Sequence, residues 1–240
     1  MNAPALPKII AVVGPTATGK TALGVLLAGR FDGEIVSGDA KQLYRGMDVG
    51  TAKERYLPVP QYLIDTVNPG ERVSVGEYQQ MAYGVIDSCL QRKIVPVLVG
   101  GSGLYVESVL EGYLFGGAGS RSKSPRYQSL RLALAVERDV LRQRIAERLD
   151  SRTDALIQEI SGLLADGVSP DWLLGCGLEY RAFTLLIQGA ITLSEAREQT
   201  LQGNYAYVKR QYTWWRRDAS VKWVPGHGEA LELATAFLNR

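Results

Sequence analysis

Short apolar runs separated by longer amphipathic segments characterise this chain. Six runs of strand length stand between turn-forming residues, at residues 9–13, 34–37, 62–65, 95–99, 130–136 and 221–224. Runs of this length with few polar positions are typical of strands that are buried on both faces. Because amphipathic segments alternate with these runs, the pattern predicts a parallel sheet covered by helices.

Helical spacing of apolar residues predicts the intervening elements. Helices are expected at residues 20–30, 74–92, 137–166, 178–188, 192–217 and from 228 onward. Two of them begin with a capping box, Ser74 with Glu77 and Thr192 with Glu195, although Ser194 is an alternative start for the second. The predicted fold class is α/β, a three-layer core around a parallel sheet with a mainly helical C-terminal part.

The clearest chemical signal lies in residues 9–21, IIAVVGPTATGKT. The spacing fits G-x-x-x-x-G-K-[ST] and stands between a strand and a helix, as a phosphate-binding loop (P-loop) requires. Backbone N–H groups and the Lys20 ammonium would bind the phosphates, and the Thr21 hydroxyl would bind Mg²⁺. The motif predicts a P-loop NTPase-like core and a polyphosphate ester as ligand. It leaves open whether the phosphoryl group is transferred. The residues predicted to bind phosphate are Gly14, Pro15, Thr16, Ala17, Thr18, Gly19, Lys20 and Thr21.

Two further loops leave the carboxyl ends of predicted strands, so we expect them beside the phosphate-binding loop. Residues 39–53, DAKQLYRGMDVGTAK, are too polar and glycine-broken to be core, which places Asp39 to face a bound ligand. Residues 100–103 are Gly-Gly-Ser-Gly. This turn suits either close helix packing or an approach of the backbone to a phosphate, and the sequence leaves both open.

Composition narrows the possible chemistry. The formal net charge is only +2, so attraction to nucleic acid depends on local basic clusters, at residues 121–126 and 209–217. Cys89 and Cys176 lie far apart, which argues against a zinc site or a disulfide framework and favours the reducing cytoplasm. His227 is the only histidine, which excludes Ser-His-Asp and Cys-His catalysis. Because no apolar run reaches membrane-spanning length, we expect a soluble cytoplasmic protein without membrane contact.

Several sequence blocks together resemble the tRNA dimethylallyltransferases and cover most of the chain. The blocks are GPTATGKT, DAKQLYRGMDVGTAK, LID at 63–65, LVGGSGLY at 98–105 and VKRQYTWWRRD at 208–218. The resemblance implies a P-loop kinase-like core that has abandoned phosphoryl transfer. It would instead move a dimethylallyl group from dimethylallyl diphosphate to N6 of an adenosine next to the anticodon. The implied partners are this diphosphate and the anticodon stem-loop of tRNA, with Mg²⁺ as cofactor, and we expect a monomer.

The resemblance also implies roles for particular residues. Asp39 would be the general base that takes a proton from the adenine amine, while Lys20, the loop amides and Mg²⁺ on Thr21 stabilise the departing diphosphate. Ser102, a further catalytic candidate, stands where the family usually has threonine; the hydroxyl is kept, but the methyl group that fixes its rotamer is lost. The residues implied in tRNA binding are Asp39, Ala40, Lys41, Gln42 and Ser102. Arg181 and Arg210 are candidates for diphosphate or RNA-phosphate contact, with structural ion pairing as the alternative.

One segment departs from the family pattern. Between residues 113 and 130 the family normally inserts a helical domain that binds the anticodon arm, whereas this chain has a glycine- and serine-rich stretch. We therefore divide one compact domain into a first half of the core, 1–112, a linker that replaces the insertion, 113–129, and the remainder, 130–240.

Other functions stay open at this point. An adenylate isopentenyltransferase would keep the chemistry and change the acceptor. A P-loop small-molecule or nucleotide kinase is the alternative from a different class, since the loop alone fits ATP as well. A non-catalytic RNA-binding remnant is the third possibility, against which the intact Asp39, Lys20 and Thr21 argue.

Overall fold

A six-stranded parallel sheet organises the residues that the computed structural model describes, namely 5–54, 59–115 and 122–239. Its strands are β1 (Lys8–Val13), β2 (Gly33–Ser37), β3 (Gln61–Tyr62), β4 (Val95–Val99), β5 (Gln128–Leu134) and β6 (Val221–Val224). Their order across the sheet is β3-β2-β4-β1-β5-β6, and every pairing is parallel. The carboxyl ends of β1, β2 and β4 therefore meet at one edge of the sheet, with β4 directly between the other two.

Helices cover both faces of this sheet. They are α1 (Lys20–Arg30), α2 (Val75–Gln91), α3 (Gly103–Glu111), α4 (Arg138–Asp150), α5 (Thr153–Ala165), α6 (Pro170–Leu174), α7 (Leu178–Ile187), α8 (Leu193–Arg216) and α9 (His227–Leu238). Alternate residues of β1 enter two different cores: Ile9, Ala11 and Val13 pack with α2, α3, α7 and α8, whereas Ile10 and Val12 pack with α1 and α9. The predicted three-layer α/β fold is confirmed. None of the described helices is long and apolar enough to cross a bilayer.

The helical character predicted over residues 137–166 is confirmed, and the structure divides the stretch into two helices, α4 and α5. Polar side chains at the break bond back to the preceding turn. The Ser151 hydroxyl donates to the carbonyl of Arg148 at 3.2 Å, and the Thr153 hydroxyl donates to that of Leu149 at 3.0 Å. Such bonds compete with the helical ladder and allow the chain to change direction.

Two smaller predictions also differ from the structure. Of the strand expected at residues 62–65, only Tyr62 lies in a strand, β3, because Leu63 and Asp65 adopt positive φ values of 60° and 54°, outside the β region. His227, expected in a turn, is the first residue of α9 and is exposed. The capping boxes predicted at Ser74 and Thr192 are both present.

The segment proposed as a linker leaves and rejoins the core at neighbouring points. Tyr113 and Lys123 form an antiparallel bridge, and the amide of Ser124 donates to the carbonyl of Gly112 at 2.9 Å. Residues 116–121, which hold most of the glycine-rich stretch, lie outside the described residues. After the segment, β5 pairs with β1, so both parts of the chain share one sheet.

The loops that follow β2 and β4 lie next to each other because two glycines, Gly38 and Gly100, approach closely. The amide of Gly38 donates to the carbonyl of Val99 at 2.7 Å, and the amide of Gly100 donates to that of Val12 at 3.0 Å. A Cβ atom on Gly100 would overlap the backbone of Gly38. Only glycine at position 100 therefore lets Asp39 and Ser102 stand beside each other above the phosphate-binding loop.

We expect Gly100→Ala to lower the free energy of unfolding by about 1–3 kcal/mol, because the added methyl group forces two backbones apart. Gly84→Ala on α2 is the matched control, since a Cβ atom there meets nothing within 4 Å and alanine favours a helix by about 0.5–1 kcal/mol. Urea titration measures both. Equal stability of the two variants would contradict the packing argument.

Candidate functional site

Positive and negative backbone φ angles alternate along the phosphate-binding loop. Positive φ values occur at Gly14 (122°), Ala17 (63°) and Gly19 (94°), and α1 begins at the next residue, Lys20. The Thr18 hydroxyl, which is buried, donates to the carbonyl of Pro15 at 3.0 Å. Alternation of this kind turns successive N–H groups toward one concave side, where they join the positive end of the helix dipole. The loop is therefore built to hold an anion.

Lys20 carries the principal charge of this loop. Its Nζ donates to the carbonyl of Pro15 at 2.6 Å. Burial lowers the pKa of Lys20 from 10.5 to about 8; the negative charge of Asp39 opposes this shift, and the positive charge of Arg148 adds to it. Without a ligand, Asp39 therefore offsets only part of the cost of burying the positive charge of Lys20. An anion in the loop would offset the rest.

Asp39 stands at the start of the loop that follows β2. Its Oδ1 accepts a hydrogen bond from the amide of Lys41 at 2.9 Å, which fixes the carboxylate in a local turn. The amide of Ala40 donates to the hydroxyl of Ser102 at 3.4 Å and so links this loop to the one after β4. Gln42 accepts from the hydroxyl of Ser37 at 3.0 Å. The two loops predicted from the sequence as neighbours are in contact.

Two cavities of similar size meet at this point. The first, of about 370 Å³, lies over the phosphate-binding loop, and the second, of about 340 Å³, lies between the loop after β2 and helices α7 and α8. Five residues line both cavities: Thr16, Asp39, Thr51, Ala52 and Arg148. Asp39 therefore faces the first cavity, which we call the anion cavity because it lies over the phosphate-binding loop, on one side and the second cavity on the other.

Side chains of the second cavity combine aromatic, hydroxyl and cationic groups. Ser102, Tyr207, Arg210 and Lys41 line it together with the thiol-bearing Cys176. Burial, followed by the negative charge of Asp39, raises the pKa of Tyr207, so its hydroxyl stays protonated. An aromatic face beside hydroxyl and cationic groups suits a planar base that is attached to a phosphodiester chain.

Most of the predicted site residues gather here. Thr16, Ala17, Gly19, Lys20, Thr21, Asp39 and Gln42 line the first cavity, and Asp39, Ala40, Lys41, Ser102 and Arg210 line the second. Gly14, Pro15 and Thr18 shape the loop behind the first group. Arg181 is exposed on α7 and belongs to neither lining. The functional roles of all these residues stay predictions.

Glu159 on α5 is a residue that the sequence did not indicate. Its carboxylate accepts hydrogen bonds from the amides of Asp48 and Val49, both at 2.6 Å, and of Gly50 at 3.1 Å. It also accepts from the hydroxyl of Tyr180 at 2.7 Å. The three amide bonds hold residues 48–50 in place, and the next two residues of the same loop, Thr51 and Ala52, line both cavities. No local pattern predicts the contact with the loop, because 109 or more positions separate Glu159 from its three amide donors.

Gln211 on α8 joins two loops of the site, a contact that its sequence block, residues 208–218, does not indicate. Its side-chain oxygen accepts from the amide of Thr16 and its nitrogen donates to the carbonyl of Gly101, both at 2.9 Å. The amide group is buried and uses both ends. The phosphate-binding loop is therefore held in register with the Gly-Gly-Ser-Gly turn by a helix near the other end of the chain.

The fold and the site define a P-loop α/β protein in which an anion cavity opens beside a second, aromatic-lined cavity. The sequence model of the family described as IPP transferase matches residues 42–120 and 115–218. The tRNA dimethylallyltransferase of Desulforudis audaxviator is 33% identical, with 91% of this chain and 92% of the relative aligned. That of Streptomyces griseus is also 33% identical, with 98% and 96% aligned.

Solved structures agree with these relatives. The tRNA isopentenylpyrophosphate transferase of Bacillus halodurans superposes with a TM-score of 0.87 at 30% identity, over 97% of this chain and 96% of that one. The corresponding transferase of Staphylococcus epidermidis gives 0.86 at 26% identity. The chain belongs to the IPP transferase family.

The lowered pKa of Lys20 predicts the pH dependence of stability. Below a pH of about 8 the folded protein keeps a buried ammonium that the unfolded chain solvates better, and this penalty disappears as the pH rises toward 10.5. We expect ligand-free Lys20→Met to be more stable than the wild type at pH 7, by about 1–3 kcal/mol, with a gap that shrinks by pH 10. Urea titration across this range, with the exposed Lys222→Met as control, measures the gap. A gap that stays constant would contradict the argument.

Proposed function

We propose that this protein transfers the dimethylallyl group of dimethylallyl diphosphate to N6 of an adenosine next to the anticodon of tRNA and releases diphosphate. The observation that carries the proposal is the position of Asp39 on the wall shared by the anion cavity and the second cavity. A carboxylate at that boundary can reach a group that arrives from either side. Relatives that share 33% identity over most of the chain are named tRNA dimethylallyltransferase, which supports this reaction and no other acceptor.

The proposed step exchanges one bond for another. The N6 lone pair attacks C1 of the dimethylallyl group, the C1–O bond breaks, and its electron pair stays on the oxygen of the departing diphosphate. The N6 proton passes to the carboxylate of Asp39. Proton removal matters because the amine lone pair is delocalised into the adenine ring, and attack without it would build positive charge on nitrogen. Lys20 and the loop amides stabilise the negative charge of the leaving group.

Mg²⁺ is the cofactor that we propose. The described residues contain no group of three or more His, Cys, Asp or Glu side chains suited to a metal ion. Mg²⁺ often binds through one or two protein oxygens, with substrate phosphates and water filling the other positions. The Thr21 hydroxyl, beside Lys20 in the first cavity, fits such a donor set. When bound, the ion would supply charge neutralisation for the diphosphate.

The second cavity is the proposed place of the target adenosine. Tyr207 offers an aromatic face, Ser102 a hydroxyl, and Lys41 and Arg210 positive charges for the flanking phosphates. We propose that the protein acts as a monomer. We assign the activity to the cytoplasm, since the substrate is tRNA.

We also propose that residues 113–129 replace an inserted helical domain. The alignment with the Desulforudis audaxviator relative runs over 284 positions, although this chain has 240 residues, so the relative carries positions that are missing here. The bridge between Tyr113 and Lys123 supports a short connection at this point. The residues of both cavities lie outside the segment, so the chemistry does not depend on it.

A labelling experiment tests the proposed function. The protein is incubated with dimethylallyl diphosphate labelled in the allyl group, or with γ-labelled ATP, and offered tRNA or AMP. We expect allyl label in tRNA and no phosphoryl label in either acceptor. Allyl label in AMP alone would show that AMP, and not tRNA, is the acceptor. Phosphoryl transfer from ATP without prenylation would overturn the proposal.

The role of Asp39 has its own test. Asp39→Asn keeps an oxygen that can accept from the amide of Lys41 but removes the proton acceptor, so we expect kcat to fall by about 100-fold or more with KM for the diphosphate changed by less than about threefold. Asp166→Asn, a change at the exposed residue that follows α5, is the control and should match the wild type. Full activity of Asp39→Asn would refute the role.

A further inference from the structure

A further cavity lies between helices α3 and α8, and we call it the α3–α8 cavity. Glu107 of α3 and Trp214 and Trp215 of α8 are part of its lining. Its volume of about 400 Å³ is within the range of small-molecule sites, about 300–1,000 Å³. None of the described residues lines both this cavity and either of the first two. The reaction proposed above therefore leaves the α3–α8 cavity without a role.

One wall of the α3–α8 cavity is a network of ion pairs. Arg131 pairs with Glu111 and with Asp218, each at 2.6 Å, and Lys123 pairs with Glu111 at 2.9 Å. Nε of Arg131, which is largely buried, donates to the hydroxyl of Ser129 at 3.1 Å. Because these charged groups pair with one another, they give the cavity a fixed polar wall and leave other groups to bind a ligand.

Three polar groups of the lining stay unpaired. The carboxylate of Glu107 and the guanidinium of Arg217 make no hydrogen bond or ion pair with any described residue. Trp215 is only 1% exposed, and its buried indole nitrogen has no acceptor within the described part of the chain. Buried indole N–H groups usually donate to a partner. An acceptor atom on a bound ligand would supply the partner that Trp215 lacks.

Trp214 adds an aromatic surface and connects this cavity to the second one. Its ring is half-buried and packs on the first turn of α3, since a Cβ atom on Gly103 would lie 2.7 Å from the indole nitrogen. The preceding residue, Ser102, lines the second cavity. On α8, Arg210 lines the second cavity, and Trp214 follows it by about 6 Å along the helix axis. The two cavities are therefore neighbours along both helices.

The unpaired groups together suit a nucleotide. The exocyclic amine of a base donates to a carboxylate, and the ring nitrogen or oxygen beside it accepts from an N–H group. The base stacks on an aromatic ring, and the phosphate pairs with an arginine. Uracil is the exception among the bases of RNA, because it has a carbonyl oxygen where cytosine has the amine, and a carboxylate repels that oxygen.

We propose that the α3–α8 cavity is a second nucleotide site, which takes a nucleotide whose base carries an exocyclic amine. The base stacks on Trp214, and its amine donates to Glu107. An acceptor of the base receives the N–H of Trp215, while the phosphate faces Arg217. Two sources share this chemistry: a neighbour of the target adenosine in the RNA strand, and a free mononucleotide. The first source rests on the proposed function, whereas the second does not.

Binding of CMP and UMP to the full chain tests the site, with inorganic diphosphate present to fill the phosphate-binding loop. We expect CMP to bind about tenfold or more tighter than UMP, because only cytosine offers an amine to Glu107. Glu107→Gln should bind the two about equally, since an amide also donates to the uracil oxygen. Arg217→Gln should weaken both by about threefold or more and keep the preference, because a phosphate contact does not read the base.

The indole N–H of Trp215 reports on the cavity itself. Its signal in ¹⁵N-resolved NMR spectra should move when CMP is added, because the N–H gains an acceptor. The signal is assigned with Trp215→Phe. If that variant does not fold, the assignment follows by exclusion from the variants of the other tryptophans, Trp172→Phe, Trp214→Phe and Trp223→Phe.

Glu232→Gln and Arg30→Gln are the matched controls. They remove the same charges from exposed positions of α9 and α1, which cover the opposite face of the sheet. Both should bind CMP and UMP as the wild type does.

Anticodon stem-loops with cytidine or uridine on either side of the target adenosine separate the two sources. A lower Kd with cytidine on one side, lost in Glu107→Gln, would assign the site to the RNA strand. A preference seen with mononucleotides alone would assign it to a free nucleotide.

Three outcomes would overturn the proposal: no preference for cytidine in either arm, a preference that Glu107→Gln retains, or a Trp215 signal that CMP does not move. Every readout is a binding measurement. A wild type that binds CMP in this way but transfers no prenyl group would therefore contradict the proposed function and leave the nucleotide site in place.

Discussion

Positive charge that is buried before any ligand arrives is the constraint on which the site depends. Lys20 is held under the phosphate-binding loop and Arg148 at the boundary of the two cavities, and neither has a full counter-charge among the described residues. In a site with little water, charge interactions are stronger than at the surface. In the reaction that we propose, the diphosphate is bound by groups that are already in place, and the folded protein gives up stability to keep them there.

The order of the strands in the sheet determines where the loops around these charges lie. Three neighbouring strands end at the same edge, and the contact between Gly38 and Gly100 brings the loops after β2 and β4 together. Gln211 then fixes one of these loops to the phosphate-binding loop, and Glu159 fixes the segment that closes both cavities. The residues to which we assign the chemistry thus lie at one edge of the sheet, and hydrogen bonds from residues far along the chain hold the loops of that edge in place.

Local patterns in the sequence predicted what local physics determines. The motif at Gly14–Thr21 determines its own backbone turns, five of the six apolar runs form strands, and the capping boxes at Ser74 and Thr192 begin helices. Contacts between distant residues left no such trace. Arg148 and Glu159 have ordinary helical surroundings in sequence, and only the packing of α4 and α5 aims them at the site. Arg181 is the converse case: it lies on the exposed side of α7, whereas its neighbours Tyr180 and Ala182 are among the buried residues of that helix.

Two cavities of nearly equal volume explain why a phosphate-binding loop need not imply phosphoryl transfer. A kinase needs its acceptor oxygen in line with a phosphorus atom, so the acceptor must approach the loop itself. Here the second cavity begins at Asp39 and Arg148, beyond the cradle of loop amides. In the reaction that we propose, the dimethylallyl diphosphate spans this boundary, with its phosphates in the loop and its reacting carbon at the carboxylate of Asp39. The acceptor then meets carbon first, and the loop retains the phosphates as a leaving group.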